Sequence, residues 1–160
     1  MALFIGIDPG EHTGLAVWDS ATRSFRVVAT LPLHKAMQEV HKWTHAAELT
    51  CYRKDKPGHV VCEDARQRTW FAPERNASEY RGKLMGAGAA KRDARIWEEY
   101  LEDRDVSGSW LETPFLTFEM HKPQKGGTKW PAETFANITG YTGRTSEHSR
   151  DAALLVYGRR

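Results

Sequence analysis

The stretch that decides the fold is LFIGID at residues 3–8, which is followed directly by Pro9-Gly10. A short apolar run that ends at a proline–glycine turn is typical of a buried strand. Two further segments with strand character follow, Thr13–Asp19 and Phe25–Leu31. Because short turns separate these three segments, the sequence predicts an antiparallel meander at the start of the chain.

The rest of the chain alternates between helical and strand patterns. Apolar residues at helical spacing predict a helix after residue 32, and His59–Glu63 has the character of a fourth strand. A long helix is predicted from the N-cap Asn76, with Glu79 in capping-box position, to about Asp103. The remaining predicted elements are a fifth strand at Trp110–Leu116, a helix at Pro131–Ile138, and a last helix capped by Thr145 or Ser146 that extends to about Tyr157. This order predicts an α/β fold with a mixed five-stranded sheet flanked by helices.

Length and composition favour one ordinary globular domain. The chain has 160 residues, so residues 1–160 are predicted to form a single domain. No apolar run approaches the roughly 18 residues of a membrane span, and the first residues lack the basic region of a signal peptide. Cys51 and Cys62 show no metal-ligand spacing, which favours a reducing, cytoplasmic setting.

The basic residues are unevenly distributed, although the net charge is only +2. Residues 52–95 and 113–160 have a basic excess, and the segment between them is acidic. Such a distribution is compatible with a phosphate-binding face. It is also the pattern of solvated helix surfaces, and the charge distribution alone favours solvated helix surfaces over a phosphate-binding face.

Three acids stand where an isolated charge is costly. Asp8 and Glu63 each end an apolar strand, and burying a carboxylate there is unfavourable unless it is paired or binds a cation. His148 and Asp151 are three residues apart on the predicted last helix, so they share one helix face. Three acids gathered at one place require a divalent cation, and oxygen ligands favour Mg²⁺ or Mn²⁺ over Zn²⁺.

Each of these residues also has a purely structural interpretation. Asp8 before Pro9-Gly10 suits the cap of a turn, and Glu63 suits an ion pair with an arginine of the following loop. His148 and Asp151 suit the exposed start of a helix, where acids interact favourably with the helix dipole. The functional interpretation therefore depends on the three acids being brought together by the fold.

Taken together, these motifs resemble one known family. Ile5-Gly6-Ile7-Asp8-Pro9-Gly10 with Thr13-Gly14, the strand-end Glu63, and the terminal His148-x-x-Asp151-Ala-Ala are similar to the RuvC family of Holliday junction resolvases. The resemblance extends over nearly the whole chain, and the motifs are more similar to those of phage-encoded members than to those of bacterial housekeeping members. It implies an RNase H-like fold whose first three strands are antiparallel, and a location in the cytoplasm of a bacterial or phage-infected cell.

The resemblance also implies a reaction and the residues that perform it. Asp8, Glu63, His148 and Asp151 are expected to bind two Mg²⁺ ions, or Mn²⁺, about 4 Å apart and to hydrolyse a phosphodiester bond. Lys129, or alternatively Lys122, is expected to stabilise the charge that develops on the phosphate. The remaining residues expected to contact DNA are Arg66, Arg68, Trp70, Phe71, Arg75, Arg81, Lys83, Lys122 and Lys125.

One departure from the family concerns the loop after Glu63. Many members have an aromatic residue three positions after the strand-end Glu, where this chain has Arg66. Trp70 and Phe71 follow later in the loop and are expected either to stack on unpaired bases at a branch point or to serve in packing. The expected partners are branched DNA and a second copy of the chain, because two symmetric cuts imply a two-fold homodimer. No small-molecule cofactor and no membrane partner are expected.

Three other functions remain open at this point. The Gly6-Ile7-Asp8-Pro9-Gly10 motif also resembles the phosphate loop of actin-like ATPases, although those require two lobes around the nucleotide. A DNA-binding protein of the same fold without cleavage is a second alternative, against which the complete set of acids argues. A flap or debranching nuclease would retain the chemistry and change the DNA substrate.

Overall fold

The computed structural model describes residues 2–50, 58–68, 77–107, 116–123 and 130–160. Its first three strands are β1 (Leu3–Asp8), β2 (His12–Asp19) and β3 (Ser24–Pro32), and both pairings between them are antiparallel. The predicted meander is therefore confirmed, with strand ends that differ from the prediction by no more than a residue. Tight turns dictate this pairing, because they leave consecutive strands side by side.

Two parallel strands complete the sheet. Strand β4 (Gly58–Glu63) pairs with β1, and β5 (Leu116–His121) pairs with β4, which produces the order β3-β2-β1-β4-β5. The predicted fifth strand at Trp110–Leu116 is wrong in position, because β5 begins where that segment was expected to end. Residues 110–115 lie outside the described part of the chain.

Four α-helices flank the sheet: α1 (Leu33–Thr50), α2 (Ala77–Ser107), α3 (Ala132–Thr139) and α4 (Glu147–Leu154). A short 3-10 helix, Ala65–Gln67, follows β4. The prediction of an α/β fold with a mixed five-stranded sheet flanked by helices is confirmed. Among the helices described, none is long and apolar enough to cross a membrane.

The two faces of the sheet carry two apolar cores. On one face, strand residues such as Ile7 and Cys62 pack with Val40 of α1 and Trp97 of α2. On the other face, Val61 belongs to a core with residues of α3 and α4. Its buried members are Ala16, Trp18, Phe25, Val28, Val61, Phe135, Ala152, Ala153 and Val156. Since side chains alternate along a strand, Glu63 lies on the same side as Val61, the face that α4 covers.

Helix α2 is anchored to the sheet by its C-terminal half. Its buried residues are Asp93, Ala94, Trp97 and Leu101, whereas Leu84 and Met85 nearer the N-terminus are 52% and 78% exposed. Gly86 and Gly88 make no close contact with other described residues, because a Cβ added at either glycine would meet nothing within 4 Å. The predicted cap Asn76 lies outside the described residues.

Candidate metal and nucleic-acid site

Helix α4 lies unusually close to the sheet because two glycines face it. A Cβ added at Gly6 of β1 would lie 2.0 Å from the carbonyl oxygen of Ala152, and one at Gly14 of β2 would lie 2.0 Å from that of His148. Neither position can hold a larger residue without moving the helix backbone. The two glycines thereby determine how closely His148 and its helix approach the end of β1.

The start of α4 is fixed by hydrogen bonds from two serines. Ser146 is the N-cap, and it forms a reciprocal capping box with Ser149, which replaces the usual glutamate of that motif. The hydroxyl of Ser146 also makes a hydrogen bond with that of Thr30 on β3. Because the first helical residue is therefore Glu147, His148 and Asp151 both fall in the first two turns, on the side toward the strand ends.

The predicted acids meet at the carboxyl ends of β1 and β4. The parallel register pairs Ile7 with Cys62, so the next residues, Asp8 and Glu63, end the two neighbouring strands side by side. The Nδ1 atom of His148 lies 2.9 Å from Oδ2 of Asp8, and the carboxylate is the acceptor. The Asp8 side chain is 15% exposed and that of His148 is 58% exposed, so the site opens to solvent on the histidine side.

The charges at this edge act on one another. Burial and the negative charges of Asp8 and Asp151 together raise the pKa of Glu63 to about 7, against the opposing positive charge of Arg68. Asp8 and Asp151 are therefore both within electrostatic reach of Glu63. We call Asp8, Glu63, Asp151 and His148 the acid cluster.

The chemistry of the acid cluster fits a hard divalent cation. Carboxylate oxygens with one imidazole are suitable ligands for Mg²⁺ or Mn²⁺, and the pKa of Glu63 is raised first by burial and then by the negative charge of Asp8, an effect that such a cation would oppose. In the part of the chain that the structure describes, no group of three or more His, Cys, Asp or Glu side chains is arranged as a formed metal site. The residues are close enough to repel one another but do not surround one point.

The residues predicted to contact DNA or to stabilise charge on its phosphate fall into three groups. Arg68, Arg81 and Lys122 are exposed. Arg66 instead donates to two carboxylates, Asp64 and Glu98. The predicted residues that lie outside the described part of the chain are Trp70, Phe71, Arg75, Lys125 and Lys129, together with the side chain of Lys83.

The partners of Arg66 were missed by the sequence analysis. Neither Asp64 nor Glu98 of α2 was predicted to have a role. Asp64 is buried, caps the 3-10 helix, and accepts hydrogen bonds from Arg66 and Gln67. The one available signal was the Asp64-x-Arg66 spacing after a strand, which is typical of a side chain that caps its own loop.

Comparisons with known proteins add no further constraint. A scan against protein-family models finds no match, and neither the curated proteins nor the solved structures contain a match to this chain.

Proposed function

We propose that this chain is a metal-dependent DNA endonuclease of the RuvC type that resolves four-way junctions or related branched DNA in the cytoplasm of a bacterial or phage-infected cell. The observation that carries the proposal is the acid cluster: Asp8 and Glu63 end two neighbouring strands, and His148 of α4, the helix that also carries Asp151, hydrogen-bonds to Asp8. A mixed sheet whose first three strands are antiparallel supports the RNase H-like fold that the sequence motifs imply.

The proposed site binds two Mg²⁺ or Mn²⁺ ions, which when bound would supply an activated water and neutralise the leaving oxygen. Asp8, which hydrogen-bonds to His148 and whose charge acts on Glu63, would hold the ions from the end of β1. Glu63 and Asp151 complete the carboxylate set from β4 and α4. His148 orients the Asp8 carboxylate through Nδ1, and its Nε2 atom would be the ring nitrogen that binds a cation.

DNA is proposed to lie across the basic residues that surround the acid cluster. The guanidinium of Arg68 is exposed, and its effect on the pKa of Glu63 indicates that it is near the acids. Lys122 is exposed directly after β5, whose last residue pairs with Glu63. Such contacts hold phosphates without reading base sequence. The further contacts proposed are Arg75, Arg81, Lys83 and Lys125, with Lys129 stabilising charge on the phosphate and Trp70 and Phe71 stacking on bases at the branch.

A two-fold homodimer is proposed because resolving a four-way junction requires two symmetric cuts. The N-terminal half of α2 supports this assembly. It exposes Leu84 and Met85, and the positions of Gly86 and Gly88 leave open space beside the helix. Small residues beside exposed apolar ones allow two helices to approach closely, so this half of α2 is the proposed contact between the two copies.

The decisive test uses one set of DNA substrates. Purified protein is incubated with labelled four-way junction, fork, flap and linear duplex, each with Mg²⁺ or with EDTA, beside the Asp8→Asn variant. We expect paired symmetric nicks in the junction with Mg²⁺ only, and none from the variant. Preferential cutting of the flap would favour the debranching alternative. Absence of Mg²⁺-dependent cutting on all four substrates would refute the nuclease proposal.

A further inference from the structure

The residue after Glu63 is also a carboxylate, and its surroundings are entirely different. Asp64 is buried, with only 4% of its surface exposed. It is the N-cap of the 3-10 helix, where its Oδ1 atom accepts from the backbone N–H of Arg66 at 3.0 Å. Its Oδ2 atom accepts from Nε2 of Gln67 at 3.0 Å. Asp64 is thus fully engaged in closing the chain just beyond Glu63.

Arg66 joins this loop to α2. Its Nε atom donates to Oδ1 of Asp64 at 2.7 Å, and one terminal nitrogen donates to Oδ2 at 2.9 Å, a two-point contact that suits the planar guanidinium. Its other terminal nitrogen donates to Glu98 of α2 at 2.5 Å. Only 30% of the Arg66 side chain is exposed. We call Asp64, Arg66, Gln67 and Glu98 the Arg66 network.

The same loop is attached to the edge strand β5. The backbone N–H of Asp64 donates to the carbonyl oxygen of His121 at 2.7 Å, and Nε2 of Gln67 donates to that of Met120 at 3.3 Å. The chain that leaves Glu63 is therefore held by β5 on one side and by α2 on the other. The attachment to α2 lies on the face of the sheet opposite to α4. Glu98 belongs to α2, and α2 packs through Trp97 on the core of that opposite face.

Glu63 needs such an anchor because it faces repulsion. Asp8 ends the neighbouring strand β1 beside it, so two carboxylates of like charge stand at adjacent strand ends. Repulsion of this kind favours movement of a strand end away from its neighbours. A second effect concerns the charge of Asp64, which directly follows Glu63. Without the guanidinium of Arg66 beside it, Asp64 would add a fourth negative charge next to the three carboxylates of the acid cluster.

We propose that Arg66 is a positioning residue for Glu63: through the Arg66 network it holds the end of β4 in place and neutralises Asp64, and so sets the affinity of the acid cluster for divalent cations. This inference rests on the proposed function. It assigns Arg66 to the support of the metal site, in contrast to the phosphate contact that its place in a basic loop predicts. Removing a residue that orients a metal ligand without binding the metal itself typically lowers metal affinity by about 10–100-fold.

The test measures Mn²⁺ binding directly by titration calorimetry on Arg66→Gln, Arg66→Lys and Glu98→Gln. Arg95→Gln is the matched control, because Arg95 makes an exposed ion pair with Glu99 on the same helix. We expect Arg66→Gln to weaken Mn²⁺ binding about 10–100-fold, Arg66→Lys to restore part of the loss, and Arg95→Gln to change nothing. Junction binding in EDTA is measured beside it and is expected to stay within about twofold for Arg66→Gln, since an arginine held by two carboxylates is not a phosphate contact.

Each alternative outcome has a defined meaning. Wild-type Mn²⁺ affinity in folded Arg66→Gln would overturn the inference, because a purely structural residue lowers the melting temperature without changing the affinity of the folded protein. Weakened junction binding in EDTA with unchanged Mn²⁺ affinity would make Arg66 a DNA contact instead. If Arg66→Gln fails to fold, Glu98→Gln decides, and unchanged Mn²⁺ binding there overturns the inference. Absence of Mn²⁺ binding by the wild type, with Asp8→Asn indistinguishable from it, would refute the proposed function itself.

Discussion

Glu63 and Asp64 are consecutive carboxylates, and they show how differently one strand end treats two like charges. Glu63 faces α4, where burial and the charges of Asp8 and Asp151 raise its pKa to about 7. Asp64 faces the side of α2, where burial alone would raise its pKa. Hydrogen bonds from Arg66 and Gln67 outweigh that effect, and the pKa of Asp64 is lowered.

The two carboxylates differ in whether the surrounding side chains compensate their negative charge. A buried carboxylate is tolerated when hydrogen-bond donors and a guanidinium surround it, as they surround Asp64. The acid cluster lies one residue away, and its interactions with Arg68 and His148 leave the pKa of Glu63 raised. An arrangement that retains repulsion beside a fully compensated acid is typical of a site that binds an external cation.

The largest expected effect comes from removing one charge of the acid cluster. Asp8→Asn is expected to lower cleavage by roughly 100-fold or more, because several kcal/mol of charge stabilisation correspond to that factor. In EDTA the same change is expected to raise the melting temperature, because it relieves the repulsion on Glu63. Nicking assays and thermal unfolding measure both effects, with the exposed Asp103→Asn as control. Cleavage near the wild-type rate would show that Asp8 is not a metal ligand.

The second change moves α4 away from the strands. Gly14→Ala places a Cβ 2.0 Å from the carbonyl oxygen of His148, so the helix must shift. We expect a loss of about 1–3 kcal/mol in the free energy of unfolding, together with weaker metal binding. Gly88→Ala is the control with the opposite sign, because open space at that helical glycine predicts a gain of about 0.5–1 kcal/mol. Equal stabilities of the two variants in urea unfolding would contradict the close seating of α4.

The third prediction separates the two carboxylates by pH. Because the pKa of Glu63 is raised from 4.5 to about 7, the folded state holds this proton more tightly than the unfolded chain does. Stability in EDTA is therefore expected to fall as pH rises from 5 to 7, by about 1–3 kcal/mol, and Glu63→Gln removes that fall. The pH dependence of stability that Asp64 contributes has the opposite sign. Its lowered pKa contributes stability above pH 3.8 that is lost only as pH falls through the lowered value.

Urea unfolding at pH 5, 6, 7 and 8 distinguishes the two behaviours. The stability difference between Glu63→Gln and the wild type should increase with pH across this range. The difference for Asp64→Asn should be a loss that stays constant. A constant difference for Glu63→Gln would mean that the pKa of Glu63 is not raised in the folded protein, and the contrast between the two acids would disappear.

The smallest expected effect comes from exchanging the histidine of the acid cluster. His148→Asp removes the hydrogen bond to Asp8 and adds another carboxylate. Since Asp is also a suitable ligand for Mg²⁺, cleavage should stay within about tenfold of the wild type and the preference between Mg²⁺ and Mn²⁺ should shift. His148→Ala is the matched variant and should lose more. Loss of folding in His148→Asp, seen by circular dichroism, would instead indicate a structural histidine.

The local pattern of the chain predicted most of the sheet and the members of the acid cluster. Strands β1 to β4 were found because apolar runs between turns have few alternatives, and Asp8 and Glu63 were found because an acid that ends such a run is conspicuous. Strand β5 was misplaced although it alternates Thr117, Glu119 and His121 with apolar residues, which is the pattern of a half-buried strand. The prediction favoured the apolar residues just before this segment over the alternation within it.

By itself, the sequence determined the strands, the turns and the residue types available for cation binding, because these depend on neighbours within a few positions. Only the tertiary structure decided which face each acid occupies and what surrounds it. Glu63 joins Asp8 because β4 pairs with β1, and Arg66 reaches Glu98 because α2 packs beside the loop. Those partners are distant in the chain, and the packing of helices against the two faces of the sheet makes them neighbours.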